Sequence, residues 1–506
     1  MNNIKYMKVK QLFLALLLVV APLSTFGAES LRLARVFSDC MVLQQQTDAP
    51  IWGWAEPSAK VVVRPSWSSR SYAVKADAQG AWRVKLATPS YGGPYSVCVT
   101  CGKERVELKD VMIGEVWVCS GQSNMEMPME GFVRYNQPVE ESLETALKAI
   151  NYGDKIRIFT VPKRMQDDAP AEDMLSGEWQ RASFDACSKC SAIAYFFAQY
   201  LTDATQVPIG VIVSAWGGTA IAPWMPRDCH QAALKELLDK GVITEQIYNY
   251  RTGYLKPGRK NFPRNAGTLY NGMIHPIRGY AARGFLWYQG CSNKRDYWFY
   301  DKMQKAMVER WRAEWGDKEA KMPFYYVLIA PFRKEHKPNS YARGYFVENQ
   351  ALAAKSIPNC NYATTECFGA LGNIHPAEKK PVSRQLALLA LENIYGVKGV
   401  VSGAPELVKT TLADRKYTLE FARGKGLMVP PYEKVQGFEV AGADKVFYPA
   451  QAKLVGDKIV VDVPQEVAEP QSLRYSFSDC PLTSNVMSRF GFPLAPFRTD
   501  SWELTK

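Results

Sequence analysis

The fold class this sequence predicts is α/β, with β-rich regions at both ends, and two observations predict it. Between residues 111 and 397 strand-like runs alternate with helical stretches, as in "VWVCSG", "SAIAYFFAQYLTDA", "IGVIVSAWGG", "RGFLWYQG" and "DKMQKAMVERWRAEWG". Such alternation requires a parallel sheet flanked by helices. On either side of that span, short β-like runs follow one another across turns.

Taken in order, residues 1–28 read as a secretory signal peptide. Lys5, Lys8 and Lys10 precede the apolar run "LFLALLLVVAPL", and small residues follow around Gly27 and Ala28. An exported chain, periplasmic or secreted, is therefore expected. No membrane span is expected, because no stretch reaches the ~20 apolar residues a spanning helix needs. The first cysteine past the leader is Cys40, too far along for a lipid anchor at the cleavage point. Residues 29–110 ("PIWGWAEP", "KVVVRPSW", "SYAVKADAQGAWRVKL") predict a sandwich-like β domain. Residues 111–397 form the α/β domain. From 398 to 506 "KYTLEFA", "GFEVAG", "AKLVGDKIVVDVP" and "SLRYSFSD" return to β.

A chain of 506 residues, 47% hydrophobic and 22% charged, has the composition of a folded protein with a large core. The net charge of +12 is scattered, with no arginine stripe interleaved with aromatics and no nucleic-acid motif. It implies no nucleic-acid partner, only a modest field that favours anionic glycans. Among eleven cysteines, Cys98 with Cys101 and Cys187 with Cys190 are closely spaced, the first pair in a hairpin and the second in a polar loop. Neither pair has a histidine beside it, so local disulfides or free thiols are expected rather than a zinc site.

Residues able to do chemistry gather at the ends of the predicted strands of the α/β region, where open sheets of this kind place their sites. "GEVWVCSGQSNMEMPM" puts Ser123 on the turn after a buried strand. A serine there is either a helix cap or a nucleophile. A nucleophile needs a base, and the chain has four histidines: His230, His275, His336 and His375. His230 falls at the start of a surface helix and His336 in a charged loop. His275 and His375 each precede a proline, and His375 lies on a loop between elements, where catalytic groups are common. Donors for an oxyanion are available from Gly217 and Gly218 in "SAWGG" and from Gln289 and Asn293 in "WYQGCSN".

Together "CSGQSNMEMPM", "SAWGGTAIAPW", "YNGMIHPIRGYAARGFLWYQGCSN" and "NIHPAEKK" resemble the motif blocks of the sialate O-acetylesterases, within the SGNH hydrolase superfamily. "FSDCMVLQQQTDAPIWGWAEP" and "FGFPLAPFRTDSW" resemble that family's flanking segments. The resemblance implies an SGNH-like sheet, no cofactor and no metal. It implies Ser123 as nucleophile, His375 as general base, and an oxyanion hole of the Ser123 and Gly217 or Gly218 N–H groups with the Gln289 amide. Asn124 and Asn293 would contact substrate. The implied substrate is an O-acetylated carbohydrate, sialic acid before plant polysaccharide. A glycan-binding scaffold with weakened catalysis is the alternative.

Two departures stand out. The family usually reads Asp-Ile-His-Pro where this chain has Asn373-Ile374-His375-Pro376, and Gln-Gly-Glu-Ser-Asn where it has Gln289-Gly290-Cys291-Ser292-Asn293. Cys367 and Ala370 also stand where acids are usual. The orienter of His375 is then Asn373 through its side-chain carbonyl, a backbone carbonyl, or Glu366. A pairing of Cys291 with Cys119 is a further expectation, set against two free thiols.

Overall fold

The computed structural model describes residues 31–132, 137–252, 264–332, 340–369, 372–481 and 483–504. The expected leader, His336 and Ala370 lie outside the described residues.

The protein is mixed α/β with a β-rich C-terminal region. Among the described residues seven strands form the main path of an 11-stranded sheet: β1 (Glu104–Gly121), β2 (Ile156–Thr160), β3 (Trp179–Arg181), β4 (Ile209–Ala215), β5 (Gly284–Tyr288), β6 (Phe324–Val327) and β7 (Cys360–Ala363). They lie in the order β3-β2-β4-β1-β5-β6-β7, parallel throughout except for the antiparallel edge pair β3-β2. Successive side chains leave a strand on opposite faces. Residues 111–121 of β1, and β4, β5 and β6 throughout, are buried, so both faces are covered: Val116, Val118, Phe285 and Trp287 enter one apolar cluster, Trp117, Cys119, Leu286 and Tyr288 the other. Helices Arg227–Asp239, Tyr300–Glu314 and Ala342–Ser356 cover the first face, and Ala192–Thr205 and Lys380–Asn393 the second.

β1 positions the site. The chain leaves it to build β2, β3 and β4 on one side, then crosses to β5, β6 and β7 on the other. This reversal opens a crevice at the carboxyl ends of β1, β4 and β5. β1 also reaches back into the N-terminal region, pairing along its first half with the strand Gly92–Cys101. The division expected at 110/111 therefore falls inside one continuous strand. N-terminal residues such as Ile51, Val61 and Trp82 share the first apolar cluster with the central sheet.

The C-terminal region packs two four-stranded antiparallel sheets around Leu419, Val440, Ile459, Val461 and Leu473. Cys98, Cys101, Cys187 and Cys190 carry free thiols, as do Cys119 and Cys291. Cys187 ends up not in a polar loop but in the helix Phe184–Lys189, with Cys190 as its C-cap and both buried. Apolar neighbours on both sides of the motif override its polar composition. Among the described residues no helix is long and apolar enough to cross a membrane.

Candidate active site

β1 ends at Gly121, where φ is +142° and a Cβ would stand 2.3 Å from the Tyr288 carbonyl oxygen, so only glycine fits. Gln122 then takes the N-cap of the one-turn helix Ser123–Glu126. Its side-chain oxygen accepts from the Gly290 N–H at 3.0 Å, joining the turn after β1 to the turn after β5. Ser123 is the first helical residue and not the cap. That placement removes the capping role and leaves its N–H without an intrahelical acceptor.

Asn124 donates to the carbonyl of Ile374 at 3.0 Å and accepts from the Lys379 ammonium at 2.6 Å. The neighbours of Ser123 and His375 are thereby bonded to each other. Asn124 is 1% exposed with both ends of its amide engaged; the expected substrate contact is a loop tie. His375 is buried and packs edge-on against Phe132 at 5.1 Å.

Two candidate orienters are placed elsewhere. The Asn373 carbonyl accepts the backbone N–H of His375 at 2.8 Å, and its amide donates to Gln137. It shapes the backbone around His375 as an Asx turn, which is what a short side-chain carbonyl does best two residues ahead of an N–H. Glu366 is locked in a buried ion pair with Arg343 and accepts from Ser476 at 2.7 Å. Asn373→Asp should consequently change kcat/KM on an aryl acetate by less than about tenfold, since Asp still accepts the His375 N–H. A rise approaching the ~10⁴ that a triad acid is worth would overturn this placement.

The oxyanion donors divide in the same way. A Cβ on Gly217 would stand 3.1 Å from that of Ser123, so the β4 turn does abut the serine. Yet the Gly217 N–H already donates to the Glu126 carboxylate at 2.5 Å. Gly218, the next residue of that turn, has φ +72°. Gln289 is fully buried, with its amide donating to the Thr219 carbonyl at 3.1 Å and to Asn293 at 2.9 Å while its oxygen accepts from Tyr300 at 2.6 Å. Both of its N–H groups are committed. Gln289 braces the loops rather than reaching the oxyanion.

Asn293 accepts from Ile221 and Gln289 and donates to Asp296 at 2.8 Å, leaving one N–H. It lines a cavity of about 320 Å³ beside Gly218, with Ile221, His230, Arg264 and Asp296. His230, expected on a surface, is 4% exposed on the inward face of Arg227–Asp239. Burial, and then the nearby Arg251 charge, lower its pKa to about 4. His275 is bonded to the Ala171 carbonyl at 2.9 Å and lines a different cavity.

Two residues escaped the sequence reading. Glu126 sits one turn after Ser123, takes the Gly217 N–H and pairs with Lys163; its i,i+3 spacing was a usable signal. Lys379 is the N-cap of Lys380–Asn393, a place where the helix dipole disfavours a cation. It is 2% exposed, and burial lowers its pKa from 10.5 to about 7. Between those values the unfolded chain binds a proton that the folded chain does not. Stability contributed at this position therefore rises with pH through that window, by at most about 1.4 kcal/mol per pH unit. Urea midpoints of the protein and of Lys379→Met should diverge in that sense between pH 7 and 10. Parallel curves would refute it.

The profile for a carbohydrate esterase, sialic acid-specific acetylesterase, matches residues 113–376, a span holding Ser123, Gly218 and His375. The chain is 28% identical over 461 residues to the sialate O-acetylesterase of Rattus norvegicus, covering 82% of this chain and 83% of that one. For the Homo sapiens sialate O-acetylesterase the figures are 28% over 418 residues, 76% and 75%. The crystal structure of a carbohydrate acetylesterase from Xanthomonas citri superposes with a TM-score of 0.79 at 32% identity, covering 93% of this chain and all of that one.

Proposed function

The chain belongs to the sialic acid-specific acetylesterase family of carbohydrate esterases, and from that premise we infer a serine esterase that removes O-acetyl groups from a carbohydrate, O-acetylated sialic acid first. The observation that supports the reading is the Asn124–Ile374 bond, which ties the turn that carries Ser123 to the loop that carries His375.

In this reading the Ser123 hydroxyl attacks the acetyl carbonyl while His375 takes its proton. The tetrahedral oxyanion lies against the N–H groups of Ser123 and Gly218. Its collapse breaks the ester bond, and His375 returns the proton to the departing sugar oxygen. Water, deprotonated by His375, then attacks acetyl-Ser123; collapse breaks the bond to Ser123 Oγ, which takes the proton back from His375, and acetic acid leaves as acetate after losing its proton to solvent. The SGNH assignment rests on the parallel sheet and on these strand-end residues. Export is inferred from the leader ahead of Cys40.

Acetylated plant polysaccharide stands second. A glycan-binding scaffold without turnover is favoured only by the acids absent at Asn373 and Cys291. The test is acetate release by the purified chain from an aryl acetate, from O-acetylated sialic acid and from acetylated xylan, with a fluorophosphonate to label the nucleophile. Turnover with label on Ser123 supports the esterase. No turnover and no label on Ser123 would reject it.

A further inference from the structure

A second cavity of about 320 Å³ lies at the seam between the N-terminal sheet and the α/β region, lined by Trp52, Trp54, Trp82, Arg83, His275 and Arg278. It shares no residue with the cavity beside Gly218. We propose that it is a non-catalytic carbohydrate-binding site, separate from the site at Ser123.

The wall is rigid and aromatic. Trp52 and Trp54 stand on the strand Asp48–Trp54, and Trp82 stands on the adjacent strand Ala81–Ala87, with Gly53 paired to Trp82. The Arg83 guanidinium stacks 4.5 Å over the Trp52 ring and donates to the Gly279 carbonyl at 3.2 Å, so it is fixed in place. Indoles beside planar guanidiniums offer an apolar face and directed donors together, which suits a sugar ring bearing hydroxyls.

Polar capacity in this wall is left unused. Trp82 is 3% exposed, and its buried indole N–H has no hydrogen-bond partner among the described residues. His275 uses Nδ1 on the Ala171 carbonyl. Burial lowers its pKa, so the ring is neutral and Nε2 is an acceptor. Arg278 is exposed and pairs with no carboxylate among the described residues, and its charge is felt by Arg83. Asp77 and Glu172 complete the lining as acceptors. Two cations and two carboxylates balance, so the cavity suits an uncharged polyhydroxyl face more than a bare anion. Its volume falls in the range of small-molecule sites.

That the ligand is a glycan rests on the esterase reading; the existence of the site does not. The experiment is calorimetric titration of the full chain, of Arg278→Leu and of Glu172→Gln, with N-acetylneuraminic acid, with a neutral oligosaccharide and with sodium acetate, alongside aryl acetate turnover. Both substitutions are at exposed positions and should leave folding and aryl acetate kcat/KM within about twofold. The expected result is sugar binding that weakens at least tenfold or loses one site per chain in either variant. Binding of the same strength and stoichiometry in the variants, of acetate alone, or of no sugar at all, overturns the proposal. Aryl acetate turnover without sugar binding removes this site and leaves the esterase. Variant-sensitive sugar binding without any turnover does the reverse.

Discussion

Ser123→Ala is expected to lower kcat/KM on acetate esters by at least ~10⁴-fold, toward the ~10⁶ that losing the nucleophile costs other serine hydrolases. The expectation depends on what the hydroxyl does not do. Ser123 is not a cap, and the bonds that hold its turn run through Gln122, Asn124 and Glu126. Alanine retains the backbone N–H and suits the first turn of a helix, so the melting temperature should stay within a degree or two, the response to well under 1 kcal/mol. The residual rate is informative too. Gln289 is committed elsewhere and the Gly217 N–H is bonded to Glu126, so in the proposed mechanism the oxyanion relies on the Ser123 and Gly218 N–H groups, which the substitution leaves in place. A variant retaining more than about a tenth of the activity would mean another group attacks the ester. A large fall in melting temperature would mean the loss reports on folding.

What the sequence made legible is what local pattern and strand ends dictate. The parallel sheet follows from strand-like runs that are apolar nearly throughout, such as "VWVCSG" and "GFLWY". The site's location follows from the turns after them, since a chain leaving the end of a buried strand must turn near its neighbours. The β-rich C-terminal region was visible for the same reason, through turns spaced between alternating runs. Hydrogen-bond commitments were not legible. Asn124 and Gln289 look like free loop amides until Ile374, 250 positions on, and Thr219, 70 positions back, take their protons. His230 looked exposed because its neighbours in sequence are polar; the helix it sits on turns it inward. Lys379 and Glu126 owe their roles to partners brought from segments distant in sequence. Type and spacing say which residues can act; which of them are already engaged is decided by the packing of distant segments.

The same limit explains Glu366, whose nearness to His375 in sequence suggested an orienting acid. Arg343 on the helix Ala342–Ser356 binds it through two nitrogens, at 3.2 and 2.6 Å, and also donates to the Ile329 carbonyl at 2.9 Å. Both side chains are at most 1% exposed. Ser476 of the C-terminal region adds its hydroxyl. The pair thus joins the helix, the loop leading to His375 and the C-terminal sheets. Removing one member leaves a charge buried away from bulk solvent without its partner. Glu366→Ala or Arg343→Met should therefore destabilise the protein by about 3–5 kcal/mol. Replacing both by apolar residues should cost less than either single change, because no bare charge remains. Thermal or urea unfolding of the three variants measures this, and a double variant less stable than both singles would refute it. Glu366→Gln separates structure from catalysis. It keeps the shape and part of the hydrogen bonding, so activity should fall in step with stability as the His375 loop loosens. If instead kcat drops ~10⁴-fold at an unchanged melting temperature, Glu366 is the missing acid after all.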